Sequence, residues 1–130
     1  MNKKWKWIGI IFILAGLLTA CSSASTPKNT IADTVKITLK TNPITPIVGK
    51  TELILEIQDE NGQNFSGAKV EVSADHTDMN GMTMNGLATE QEIGKYVITA
   101  DFSMSGSWKI TVSVQKDSLD YKKDFELRIP

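Results

Sequence analysis

From Thr34 to its end the chain places an apolar residue at every second position, segment after segment, and this period constrains the fold more than any other feature. Val35, Ile37 and Leu39 alternate with Lys36, Thr38 and Lys40. A two-residue repeat puts all the apolar side chains on one face of an extended strand, where a helix would scatter them. Leu53, Leu55 and Ile57 repeat the pattern, with Ile54 as an extra apolar residue on the other face, and Ala68, Val70, Val72 and Ala74 follow, running into His76. Tyr96, Ile98, Ala100 and Phe102 form another such row, as do Trp108, Ile110, Val112 and Val114. The last row is Tyr121, Lys123, Phe125, Leu127 and Ile129, in which Lys123 marks an edge strand. A weaker strand is expected from Leu87 to Ile93, closed by Gly94.

Turn-forming residues punctuate these rows: Asn42-Pro43, Asp59 to Gly62, Ser105-Gly106-Ser107 and Asp117-Ser118. No window has the helical period. Seven short strands joined by turns predict an all-β fold, an immunoglobulin-like antiparallel β-sandwich with Trp108 as the plug of its core. The pattern leaves the strand order open.

The first twenty residues read differently. Lys3, Lys4 and Lys6 precede an apolar run from Trp7 to Leu18, and Leu18-Thr19-Ala20-Cys21 resembles the lipobox of bacterial lipoproteins. The run is shorter than the ~20 residues a spanning helix needs. The expectation is a signal peptide over 1–20, lipidation of Cys21, a flexible tether rich in small polar residues over 21–33 and a folded domain over 34–130. The protein is then held on the extracytoplasmic face of the cell membrane by its lipid.

Cys21 is the only cysteine, so no disulfide can form within one molecule and, once it is lipidated, no thiolate remains to attack a substrate or hold a metal. Losing Lys3, Lys4 and Lys6 from the 14 basic residues leaves 11 against 15 acidic ones, a formal charge of about −4. That balance argues against nucleic acid as a partner. A monomer is expected.

The strongest chemical signal is Asp75-His76-Thr77-Asp78-Met79-Asn80-Gly81-Met82-Thr83-Met84-Asn85-Gly86. It holds the only histidine and three of the four methionines that follow Met1. Thioether sulfur and imidazole nitrogen are soft to borderline donors, and a set weighted toward methionine suits Cu(I) better than Zn(II), Mg(II) or Ca(II). Asp75, Asp78, Asn80 and Gly81 faintly resemble a calcium loop, but the distal bidentate glutamate is missing.

Two Asn-Gly pairs bracket Met82-Thr83-Met84, which predicts a short extended piece between turns at the rim of the sandwich, with Met82 and Met84 on one side. Met104 shares the parity of the Tyr96 to Phe102 row. It joins the set if that strand ends where the methionine loop lies. Asp78 is placed to orient the His76 ring through its carboxylate. The candidate metal ligands are therefore His76, Met79, Met82, Met84 and Met104. Each also has a plain structural reading: methionine at a strand end fills gaps in a core, and histidine in a polar loop is often idle in solvent.

Met79-Asn80-Gly81-Met82-Thr83-Met84, Gly94-Lys95-Tyr96 and Met104-Ser105-Gly106-Ser107-Trp108 together resemble the YtkA-like domain family, through its Met-x-x-Met-x-Met stretch and its Gly-x-Tyr and Met-x-Gly-x-Trp elements. The family is related in character to the FixH proteins and to copper-handling sandwich domains of bacterial envelopes. The resemblance covers most of the domain. It implies an immunoglobulin-like fold and copper traffic outside the cytoplasm, with delivery to an oxidase or protection from excess metal as the roles. The pattern of two histidines and two methionines in better-known periplasmic copper chaperones is not met, since His76 stands alone. A methionine-rich Cu(I) site is the better match.

Three functions compete. The first is a lipid-anchored protein that binds Cu(I) and exchanges it with a copper-donating or copper-accepting envelope protein. The second is a module without metal that docks a membrane-protein partner through an adaptable methionine surface. The third, an enzyme, is disfavoured, because no thiol nucleophile, no Ser-His-Asp set and no carboxylate pair is assembled by the strand pattern.

Overall fold

The computed structural model describes residues 35–130. The expected signal peptide, the lipidation of Cys21 and the tether lie outside the described residues.

Seven strands follow in order: β1 (Val35–Asn42), β2 (Gly49–Asp59), β3 (Lys69–His76), β4 (Thr83–Glu92), β5 (Lys95–Phe102), β6 (Gly106–Lys116) and β7 (Leu119–Ile129). They form one hydrogen-bonded sheet in the order β1-β2-β5-β4-β3-β6-β7, with every neighbouring pair antiparallel. The expected β-sandwich of about seven strands is what the chain forms. Its two layers are continuous because β4 belongs to both. From Thr83 to Ala88 it pairs with β3, and from Thr89 to Glu92 with β5. The outermost strands β1 and β7 approach one another, so the sheet nearly closes.

The alternating rows meet inside. Val35, Ile37, Leu53, Leu55, Ile57, Tyr96 and Phe102 from one layer pack against Val70, Val72, Ala74, Trp108, Ile110, Val112 and Val114 from the other. Polar residues between them point outward, which is what a two-layer β fold requires. Trp108 is only 1% exposed, with Phe102 edge-on at 5.2 Å between ring centroids. Lys123 lies on the edge strand β7, as its place in the row implies.

Six antiparallel steps fix the direction of every strand. The β1–β2, β3–β4 and β5–β6 connections therefore share one end of the sandwich. Val35 shares the other end with the β2–β3, β4–β5 and β6–β7 connections. The methionine loop and the turn carrying Met104 thus lie at the same end, away from the residue where the N-terminal segment joins.

One expectation is corrected. The methionine segment is not a short piece between two turns, because β4 begins at Thr83, four residues before Leu87. Asn85 and Gly86 pair within the ladder with Ser73 and Val72. Gly86 serves close approach: a Cβ there would lie 2.9 Å from Ile98 Cδ1. The other Asn-Gly pairs do turn the chain, with Gly62 and Gly81 at φ of 78° and 85°.

Candidate metal-binding site

The methionine end is built around His76, the last residue of β3. It faces inward on the row of Val72 and Ala74 and is 8% exposed. Its ring meets Trp108 edge-on at 4.9 Å between centroids, with an interplanar angle of 81°. Trp108 is its partner in the β3–β6 register.

Both ring nitrogens are engaged by backbone. Nε2 lies 3.0 Å from the Ser105 carbonyl oxygen, and Nδ1 accepts the Asp78 N–H at 3.2 Å. A carbonyl only accepts and an amide N–H only donates, so Nδ1 is the acceptor and Nε2 the donor of the ring. The expected partner, the Asp78 carboxylate, is replaced by the same residue's main chain. The reason is reach: the turn after His76 folds its own N–H back onto the ring, as short polar turns do. In Asp75 the carboxylate instead accepts the Thr83 hydroxyl.

The main chain completes the link between the two loops. His76 N–H donates to the Met82 carbonyl at 3.1 Å, and Thr77 N–H and Oγ1 both donate to the Ser107 carbonyl at 2.9 and 3.0 Å. Trp108 Nε1 donates to the Met104 carbonyl at 3.2 Å.

The placement of the sulfur residues follows from register. Ala74 pairs with Met84, so His76 stands opposite Met82 in the same ladder. On the other side β4 and β5 pair only from Thr89 and Val97 toward Gly94, and from Ala88 toward Met82 they part. Met82 precedes β4 and Met104 follows β5, so the two flank that gap at the same end of the fold. Met82, Met84 and Met104 are half-buried and packed against the core; Met84 lies on the inward row of β4, Met82 immediately precedes that strand, and Met104 lies in the β5–β6 turn. The mouth between the diverging strands opens onto a cleft of about 240 Å³ that includes Met84, Ile98, Ala100, Leu53, Val72 and Ala74.

Met79 differs. It lies in the β3–β4 loop and is 47% exposed. Among the described residues no group of three His, Cys, Asp or Glu gathers to hold a metal. The soft donors of this end are therefore the methionines, with one histidine beneath them.

The opposite end holds residues that the sequence pattern did not single out. Glu90 on β4 accepts the Ser66 hydroxyl at 2.6 Å, the Gly67 N–H at 3.0 Å and the Gly94 N–H at 3.2 Å. The Ser66 bond first, then the Gly67 amide, holds its carboxyl below the usual carboxylate range. The buried Tyr96 hydroxyl donates to the Phe65 carbonyl at 2.9 Å and accepts the Ala68 N–H at 3.1 Å. Desolvation is the main cause that raises its phenol above the ordinary value. The Gly-x-Tyr element was a usable signal for this clamp, since a buried tyrosine needs partners for its hydroxyl.

Comparison with known proteins agrees with this architecture. The family model described as YtkA-like matches residues 29–113. No curated protein matches the chain. Among solved structures the fold is similar to that of FetP from uropathogenic E. coli strain F11, with a TM-score of 0.50 and 12% sequence identity, covering 74% of this chain and 88% of FetP. Since the family model spans well over half of the sequence and takes in both methionine-bearing elements, the chain belongs to the YtkA-like family.

Proposed function

We propose that this is a lipid-anchored extracytoplasmic protein that binds Cu(I) through methionine thioethers and exchanges it with an envelope partner. The observation that carries the reading is that Met82, Met84 and Met104 are all half-buried against the core at the end of the sandwich where β4 and β5 diverge. Three thioethers at this end suit a soft, monovalent d¹⁰ ion and give a partner access from outside. Methionine also resists the irreversible oxidation that removes exposed thiols, and its sulfoxide is reversible. Met79, more exposed in the loop above, serves as the donor nearest an incoming partner. The basic and apolar leader ending at Cys21 supports the lipid anchor and the extracytoplasmic place. FetP, whose fold is similar, was expressed in the periplasm.

A second reading rests on its own observation. Ile44 is 93% exposed, and Ile47 and Val48 about half exposed, in the β1–β2 loop at the same end as Met79. An apolar rim of this kind suits docking without any metal.

An anaerobic Cu(I) titration against a competing chelator separates the two. The protein is the full chain in detergent with Cys21→Ser, so that no free thiolate competes for the ion. The copper reading expects stoichiometric binding that the Met82→Leu/Met84→Leu double variant loses with its fold intact. Failure of both proteins to compete for Cu(I) leaves the docking surface as the function.

A further inference from the structure

We infer that His76 is a positioning residue and not a ligand: its imidazole latches the two methionine-bearing loops together, and the metal set above it consists of thioethers alone. The inference rests on the copper reading just given and goes further, because it assigns the coordination type of the site and with it the range of ions accepted.

An imidazole ligates through a nitrogen lone pair. In this ring Nε2 carries its hydrogen toward Ser105, and the Nδ1 lone pair is occupied by the Asp78 N–H. A metal on Nδ1 must take the place of the Asp78 amide, which leaves that donor unsatisfied beside a nearly buried ring. A metal on Nε2 must displace the Ser105 carbonyl. That side is also closed by Gly106, where an added Cβ would lie 2.6 Å from Nε2. The Trp108 edge closes a further approach.

The same contacts define what the ring does. Ser105 neighbours Met104, and the Met82 carbonyl holds the His76 N–H. One residue thus fixes the turn after β5 against the end of β3 and the start of β4. The placement of Met82 relative to Met104 depends on it. A set without nitrogen or thiolate donors accepts Cu(I) and Ag(I) alike and rejects Cu(II) and Zn(II), which require harder ligands.

X-ray absorption at the copper edge tests the assignment on the full Cys21→Ser chain loaded with one equivalent of Cu(I), beside a His76→Gln variant. The latch predicts a sulfur-only first shell without imidazole scattering. It also predicts that His76→Gln, whose amide N–H can still reach the Ser105 carbonyl, binds one equivalent with an unchanged shell and an affinity lower by about tenfold to a hundredfold at most. Imidazole scattering in the unmodified site, lost in His76→Gln, would overturn the inference while leaving copper binding in place. Failure of both proteins to hold Cu(I) would overturn the copper reading and the latch with it. Long-range ¹H–¹⁵N spectra of the ring before and after Ag(I) probe the two nitrogens independently. Unchanged Nδ1 and Nε2 resonances support the latch, and a large shift of either nitrogen contradicts it.

Discussion

The two ends of the sandwich are tied by different chemistry. At the end near Val35, a carboxylate and a phenol hold the loops: Glu90 gathers Ser66, Gly67 and Gly94, and Tyr96 bridges Phe65 and Ala68. At the methionine end an imidazole makes the tie, between the Ser105 carbonyl and the Asp78 amide. At the first end Gly94 is packed so tightly that a Cβ would lie 2.8 Å from Asn64 Cβ. The second is open, because β4 leaves β5 there. The methionines gather at the end where β4 and β5 part. The scaffold and the candidate site are therefore separable, and substitutions can be sorted by end.

The largest effect is expected where the methionine end joins the core. Trp108→Ala removes the ring that packs on both His76 and Phe102, and should cost about 3–5 kcal/mol in chemical denaturation. It should also weaken metal binding, because the Met104 turn loses its Nε1 hydrogen bond. Tyr96→Phe strands the Phe65 carbonyl and the Ala68 N–H at the other end, with an expected loss of about 1–3 kcal/mol. Metal affinity should not change with it. If it does, the ends are coupled and the separation fails.

Smaller again is the Met82→Leu/Met84→Leu pair, whose volume-conserving changes should cost less than about 1.5 kcal/mol each while abolishing Cu(I) binding. The smallest effect concerns acid. Glu90 has its folded pKa below the ordinary 4.5, so its contribution is fully present above that value and is lost as pH falls through the folded pKa. Thermal melts at pH 7 and pH 3 should show that Glu90→Gln narrows the difference between the two. The latch at His76 should be untouched by that substitution.

Much of the scaffold was legible because strands write their buried face into the sequence at period two. The rows ending in Ala74, Phe102 and Val114 read directly, and Trp108 stood out as a core residue. β4 was legible only in its second half. Asn85 and Gly86 are turn residues by local preference, but cross-strand pairing with Ser73 and Val72 and the close approach of Ile98 overrode that preference. The methionines were visible as a cluster, whereas their burial was not, since it depends on β4 sharing both layers. The shared end of Met82 and Met104 follows from strand order, which no local pattern contains. His76 illustrates the same limit: its place in the chain suggested a ligand, and only the loops that fold onto it reveal both nitrogens in use.

The central claim, that Met82, Met84 and Met104 form one thioether site, is tested most directly by methyl NMR. The full Cys21→Ser chain is labelled at the methionine ε-carbons and titrated with Ag(I) as a redox-stable stand-in for Cu(I). The prediction is that the ε-methyl signals of Met82, Met84 and Met104 move together and saturate at one equivalent, while Met1 stays in place and the tyrosine resonances are unchanged. Signals that remain still, or that move independently at separate stoichiometries, would contradict the claim.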